Sequence, residues 1–297
     1  MTTLTNIFLE YILSGLMLGV LYSLMGLGIS FIYGVMKMIN WAIGEFFMIA
    51  GYIFFGLILV FGHQYWVIAV PATIASVFLL GVILQRFWLS PMFTRLGERR
   101  EEYVIIITIA ISVLLKNLMV VIAGPYIYKA PDFLPNLSLE ELTISGNRLL
   151  AAAVGTAALA LFFMMLRTTW LGRALRATAQ NRFAAQTLGV DVRMIDNYAF
   201  GLGVSLAAVA GVMLSPVFLI YPESGVVPAV KGFVIMVIGG LGSLAGSLVG
   251  GVILGLSESI GTALIDPKYR EVYGFLIMII VLILRPRGLF GRVEREI

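Results

Sequence analysis

GRALRATAQNRFAAQTLGVDVRMID, residues 172–196, is the longest run of this 297-residue chain that cannot sit in the core of a bilayer. It carries Arg173, Arg176, Arg182 and Arg193, and long apolar segments flank it on both sides. Its middle is rich in Ala, Gln and Leu, which favour helix. Thr168–Thr169 ahead of it and Gly189 behind it punctuate that helix. A polar helix held between membrane spans and marked by arginines is a docking element for something in the cytosol. The rest of the chain reads as the pathway this element controls.

Composition agrees. The chain is 60% hydrophobic and 12% charged, with a mean hydropathy of +1.02; a soluble domain is about half apolar and about a quarter charged. Most windows of about 20 residues outside a few loops are apolar enough to cross a membrane. The fold expected is an all-α polytopic membrane protein, one domain over residues 1–297. The apolar runs are continuous rather than alternating, which argues against a β-barrel. A net charge of +4 and a pI near 9.3 reflect arginines in cytoplasmic loops rather than nucleic-acid binding. With no cysteine, disulfides, thiolate metal sites and cysteine nucleophiles are excluded. The N-terminus has no basic region ahead of its first apolar run, so no cleaved signal peptide is expected.

The apolar segments start at Tyr11–Tyr33, whose Gly15, Gly19, Gly26 and Gly28 allow close helix approach. Counting onward gives eight or nine segments, about eight transmembrane helices, with broken or re-entrant helices near 36–46 and 239–247. Thirteen of the twenty Lys and Arg residues fall in the loop around Arg95–Arg100, the docking stretch and the C-terminal tail. Only Lys129, Arg148, Lys231, Lys268 and Arg270 fall in the opposite loops. The positive-inside rule then places the N-terminus outside and the docking stretch and tail in the cytoplasm.

Two motifs interrupt the apolar pattern. Asn40-Trp41-Ala42-Ile43-Gly44-Glu45 puts an amide and a carboxylate inside an apolar region. A mid-membrane charge costs roughly 2.5–3.5 kcal/mol even on a lenient scale. Either a broken helix lines a substrate path here, or Glu45 sits near the headgroups and caps the next helix. The second motif is GGLGSLAGSLVGGVILG, residues 239–255, with small residues every fourth position. Tight packing accounts for most of them. A helix break at Gly239–Gly242 is the sharper expectation, and with Asn40–Glu45 it would mark a site between two halves of the chain. The candidate pathway residues are therefore Asn40, Trp41, Glu45, Gly239, Gly240, Gly242, Ser243 and Gly246. Lys116 and Glu258 are further intramembrane charges; Lys116 either snorkels or pairs with a carboxylate. His63, the only histidine, reads as solvated loop. No metalloprotease, hydrolase-elbow or phosphate-loop signature is present, so the chain is not expected to be an enzyme.

The docking stretch resembles a known family. Phe183-Ala184-Ala185-Gln186-Thr187-Leu188-Gly189 is similar to the Glu-Ala-Ala-x-x-x-Gly core of the permease loop of ATP-binding-cassette (ABC) importers, with Phe183 in place of the Glu. The longer strings at Gly172–Val190, Tyr33–Tyr52, Leu114–Asn117, Val209–Pro216 and Gly239–Ser259, and the ending LILRPRGLFGR, resemble branched-chain amino acid (LIV) permeases of the LivH type. The resemblance covers essentially the whole chain. It implies a bacterial inner-membrane permease that binds no cofactor of its own, ATP and Mg residing on two cytosolic ATPase partners. It also implies a second permease subunit, a different chain, and a periplasmic solute-binding protein. Arg173, Arg176, Ala184, Ala185 and Gly189 are then the ATPase-coupling residues. Two departures matter. The family's Asn-Phe-Ala-His-Gly-Glu reads here with Trp41 and Ile43, and its Gln before Asn117 reads as Lys116. A stand-alone secondary transporter or channel is the rival reading, with Glu45 and Glu258 as its coupling carboxylates.

Overall fold

Small residues decide how the first helix sits. In the computed structural model, which describes residues 2–91, 100–139 and 142–291, α1 (Thr2–Met36) is the central post. Gly15 and Gly19 lie against Gly255 and Gly251–Val252 of α10 (Leu244–Leu264), backbone to backbone. This is the small-xxx-small contact through which helices associate in lipid, where apolar side chains alone give no driving force. Gly28 of α1 makes the equivalent contact with Gly203 of α8 (Val192–Leu214). Around this core stand α2 (Ile43–Phe61), α3 (Trp66–Leu84, continued by a π turn to Leu89), α4 (Arg100–Ala123) and α5 (Gly146–Thr168). The set is completed by α6 (Trp170–Gln180), α7 (Arg182–Thr187), α9 (Val226–Gly239) and α11 (Arg270–Leu284). Among the described residues seven helices are long and apolar enough to cross a membrane, and α9 is a shorter apolar one. The protein is an all-α polytopic membrane protein, with about the eight spans expected.

Both expected breaks are present, and the first is the more consequential. Helix α1 stops at Met36, and Lys37 adopts φ 53°, a conformation rare outside glycine. Residues 37–42 are not helical, and burial alternates along them: Met38, Asn40 and Ala42 are buried, Lys37 and Trp41 exposed. That period of two marks an extended stretch at residues 38–40, between the left-handed Lys37 and a turn at Trp41–Ala42. Its course can be measured against α9. Gly34 packs on the carbonyl of Gly242, just beyond the C-terminus of α9, whereas Gly44 packs on Gly225, just ahead of its N-terminus. In between, Trp41 meets Phe233 at 4.9 Å. Fourteen helical residues span about 21 Å, a distance the chain covers between its contacts at Gly34 and Gly44. The segment 37–42 therefore runs back along the whole of α9, and α2 begins deep in the bundle, not at the end where α1 finishes.

The second break is a turn at one end of the molecule. Gly240 (φ 98°) and Gly242 (φ 75°) reverse the chain between α9 and α10, and Ser243 caps α10 by accepting from the Gly246 N–H at 3.1 Å. The last carbonyls of α9 accept hydrogen bonds from the tail, Leu289 N–H to Ile238 O and Phe290 N–H to Gly239 O. At the opposite end, residues 124–136 fold over α2. Tyr128 and Ile220 exchange two backbone hydrogen bonds of 2.8 Å, and Phe133 packs against Phe54 and Trp66. A short antiparallel hairpin, β1 (Leu137–Leu139) with β2 (Leu142–Ile144), follows.

The Gly44–Gly225 contact is the tightest consequence of this path, since a Cβ at either position would overlap the other's carbonyl oxygen. Gly225→Val is expected to destabilise the detergent-solubilised protein by about 1–3 kcal/mol, read as a lowered Tm. Gly56→Val, at a position with nothing within 4 Å, should leave Tm unchanged.

Candidate translocation site and docking face

The backbone path brings two helix N-termini together. α2 starts at Ile43 and α9 at Val226, and Gly44 touches Gly225 between them. Neither N-cap, Ala42 or Gly225, has a side-chain cap, so both ends present the positive pole of the helix dipole, although at α9 the Val226 N–H already donates to Glu223 O at 3.1 Å and Pro228 has no N–H to offer. Asn40 is fully buried beside the first of them. Its Oδ1 accepts from the Ala42 N–H at 3.0 Å, while its Nδ2 has no hydrogen-bond partner among the described residues. Trp41 points the other way and is 44% exposed.

Helix α4 clasps both termini from one side. Ser112 Oγ donates to Glu45 Oε1 at 2.6 Å, and one turn further Lys116 forms an ion pair with Glu223, two residues ahead of Gly225. Lys116 thus takes a carboxylate partner rather than snorkelling. Among the described residues no Lys or Arg pairs with Glu45. Glu45, Lys116, Glu223 and Trp41 all keep partial or full exposure in the isolated chain. The place where the two helix N-termini meet therefore carries two carboxylates and one ammonium, with the Trp41 indole packed on Phe233 farther along α9.

The glycine-rich motif does not join this site. Gly239 and Gly246 lie back to back, and Gly240 is covered by Arg287–Gly291 of the tail. Gly242 sits against Tyr33 and Gly34. All lie at the far end of α9 from Asn40–Glu45. The expected set of pathway residues divides accordingly: Trp41 and Glu45 keep exposed surface beside the helix N-termini with Asn40 buried next to them, and Gly239, Gly240, Gly242, Ser243 and Gly246 build the turn.

A cluster of charge lies behind α9. Lys231, expected in a loop, is instead buried on α9 and donates to both oxygens of Glu258, at 2.5 and 2.6 Å. Arg270 Nε reaches Glu258 Oε2 at 3.1 Å, and the Tyr22 hydroxyl donates to that oxygen at 3.2 Å while accepting from Lys231 at 3.1 Å. One point so ties α1, α9, α10 and α11. The only sequence signal was Glu258 itself, a carboxylate with no visible reason to be in an apolar helix.

The docking stretch forms two helices rather than one. Thr169 caps α6 through the Gly172 N–H, Asn181 caps α7 through Ala184 N–H, and Asp191 caps α8 through Arg193 and Met194. Gly189 (φ 85°) turns the chain after α7. Phe183 and Leu188 are 77% and 84% exposed, an apolar pair projecting from a polar end. A cleft of ≈ 690 Å³ lies beside them, lined by Ser90, Phe183, Gln186 and Asp191 among others. Of the expected coupling residues, Arg173, Ala184 and Gly189 are exposed, whereas Ala185 is buried. Arg176 is turned back onto the Leu166 carbonyl of α5, a C-terminal cap. Arg95 and Arg99, also read as part of the basic end, lie outside the described residues.

A family model described as the permease component of branched-chain amino acid transport systems matches residues 11–282. Similar curated proteins include the high-affinity branched-chain amino acid transport system permease LivH of Salmonella typhimurium, 29% identical across 97% of each chain. BraD of Pseudomonas aeruginosa, of the same description, is 30% identical across 97% of each. A probable LivH of Methanocaldococcus jannaschii is 28% identical across 90% of this chain and 88% of that one. No solved structure matches the chain.

The charge cluster yields a test with a definite order. Its two cations share one carboxylate, so Glu258→Gln leaves the buried Lys231 and the partly exposed Arg270 without their carboxylate, while Lys231→Met leaves a neutral Arg270–Glu258 pair. Breaking a buried pair by removing one partner costs about 3–5 kcal/mol. Glu258→Gln should reach that range, Lys231→Met should fall well below it, and thermal unfolding in detergent reads the difference.

Proposed function

Given that this chain belongs to the family of permease components of branched-chain amino acid transport systems, we propose that it is one membrane subunit of an ATP-driven importer for apolar amino acids. The observation that carries the substrate class is the open face at Asn40–Glu45. Charged groups at that depth cannot face lipid, so a second permease subunit of similar build covers the face and encloses a polar path. An amino acid with an apolar side chain matches its three kinds of surface. Glu45, which has no cationic partner among the described residues, receives the ammonium group. The uncapped N-termini of α2 and α9 favour the carboxylate, as broken helices do in other transporters. Trp41 and Phe233 offer apolar surface to the side chain. The excess negative charge of the two carboxylates over Lys116 favours a solute bearing an amine over urea, an amide or a carboxylic acid.

The chain contains no nucleotide-binding motif, so energy comes from partners. Phe183 and Leu188 on α7 present apolar surface to a pair of cytosolic ATPases, and a solute-binding protein delivers substrate from the other side. The arginine distribution supports a cytoplasmic docking face and tail, an outside N-terminus and, by family, the inner membrane. ATP-driven closure of the ATPases would displace α7 and rock the spans around the site.

Affinity capture of the tagged chain from native membranes in mild detergent should recover two ATPases and a second permease. A chain that emerges alone in several detergents would instead favour a stand-alone transporter. Glu45→Gln removes one charge-assisted contact to the amine, worth about 1.5–3 kcal/mol. Apparent substrate affinity of the reconstituted importer should fall about tenfold or more. Uptake kinetics equal to those of the unaltered protein would refute the amine assignment.

A further inference from the structure

The docking helix α7 has six residues and is joined to its neighbours by residues that bend easily. Asn181 is extended (φ −153°) on one side and Gly189 is left-handed on the other. A helix so attached could shift without moving the spans unless something binds it sideways. Arg182, its first residue, provides such a bond. One guanidinium nitrogen donates to Asp196 Oδ2 at 2.5 Å on the second turn of α8, and the other to the Val35 carbonyl at 3.2 Å. Asp196 is buried, so the ion pair is partly screened from water and holds more firmly than a surface pair.

Val35 is the penultimate residue of α1, and its carbonyl lies in the last turn, where helix carbonyls lack internal partners. A cation there also meets the negative end of the helix dipole. Two residues on comes Lys37 with its left-handed backbone, and then the segment 37–42 that carries Asn40 and Trp41. The arginine thus joins the docking helix to the hinge of the segment that lines the site.

We propose that Arg182 is the positioning residue that transmits displacement of α7 to the segment 37–42, so that ATPase movement alters the substrate face. Arg182 touches neither substrate nor nucleotide; it acts through Val35 and the backbone that follows. One property of its contacts suits the role: its two guanidinium nitrogens hold acceptors on different helices, so α7 cannot slide along one without straining the other.

This inference rests on the reading of the chain as an ATPase-coupled permease, and the test separates the two. The chain has no cysteine, so Ile39→Cys places a single thiol in the segment 37–42. The complete importer is reconstituted in vesicles and the maleimide labelling rate of this thiol is followed with and without trapped ATP. In the Arg182 background the rate should change with nucleotide. Arg182→Met keeps the length of the side chain but removes both bonds. It should retain the co-purifying ATPases, lose the nucleotide-dependent change, and lower solute taken up per ATP hydrolysed about tenfold. Arg182→Lys, which keeps a cation against Asp196, should recover part of the coupling. Asp196→Asn provides an independent variant and should lower coupling in the same direction. An assembled Arg182→Met or Asp196→Asn complex with an undiminished labelling change and coupling ratio would overturn the proposal. Absence of ATPases from the unaltered chain would instead refute the underlying permease reading.

Discussion

An extended backbone inside a membrane protein has to be enclosed, because lipid offers its N–H and C=O groups no partner. The segment 37–42 imposes that constraint here, and much of the architecture follows from it. α9 is short because it fills only the depth the extended segment covers. The approach of Gly44 to Gly225 closes the far end of this pair, and that of Gly34 to Gly242 closes the near end. With six residues spent on the return, α2 has to begin inside the bundle, and its N-terminus meets that of α9. The same geometry that creates a difficulty for the backbone thus concentrates two positive helix ends at one place.

Holding α9 at the right depth is the role the buried cluster fills. A half-length helix has fewer turns with which to grip its neighbours than α1 or α8. Lys231 compensates with a directional contact, reaching across α9's back to Glu258 while Tyr22 and Arg270 satisfy the remaining lone pairs and charge. Buried ion pairs are weak evidence for stability as such. Their better-attested use is to specify register, and register along its axis is what a short helix between α1 and α10 lacks.

Much of this was legible in the residues. A polar amide and carboxylate within an apolar run marked the first break, and glycines at Gly239–Gly242 marked the second. Thr169 and Gly189 bounded the docking helices as their chemistry required, although Asn181 divides the stretch in two because its side chain caps α7. What escaped was everything that depends on distant partners. Lys231 follows Pro222, Pro228 and Gly225, a context that reads as loop, and its carboxylate partner lies a full helix away in sequence. The Gly239–Gly246 residues looked like lining because glycine serves both pathways and turns; only the tail bonded across Ile238 and Gly239 distinguishes them. Arg182 looked like its neighbouring arginines, yet Arg173 and Arg176 both donate to carbonyls at the end of α5, Thr168 and Leu166, whereas Arg182 reaches inward to Val35 and Asp196.

The two ends of α9 consequently face opposite demands. At its C-terminus the carbonyls are bonded by the tail and the turn is built of close-packed, positive-φ glycines that leave no room for a side chain, so this end behaves as an anchor. At its N-terminus the cap is missing, a carboxylate and an ammonium stand nearby, and the extended segment beside it is hinged at Lys37. Unmet hydrogen-bonding capacity is costly in a membrane interior unless something supplies partners. On the proposed reading, a solute with both a carboxylate and an ammonium would supply them and leave its apolar side chain to Trp41. The end of α9 that is incomplete by itself is then the end an amino acid would complete, and Arg182, bonded to Val35 and Asp196, is the contact proposed to link the docking helix to the segment beside it.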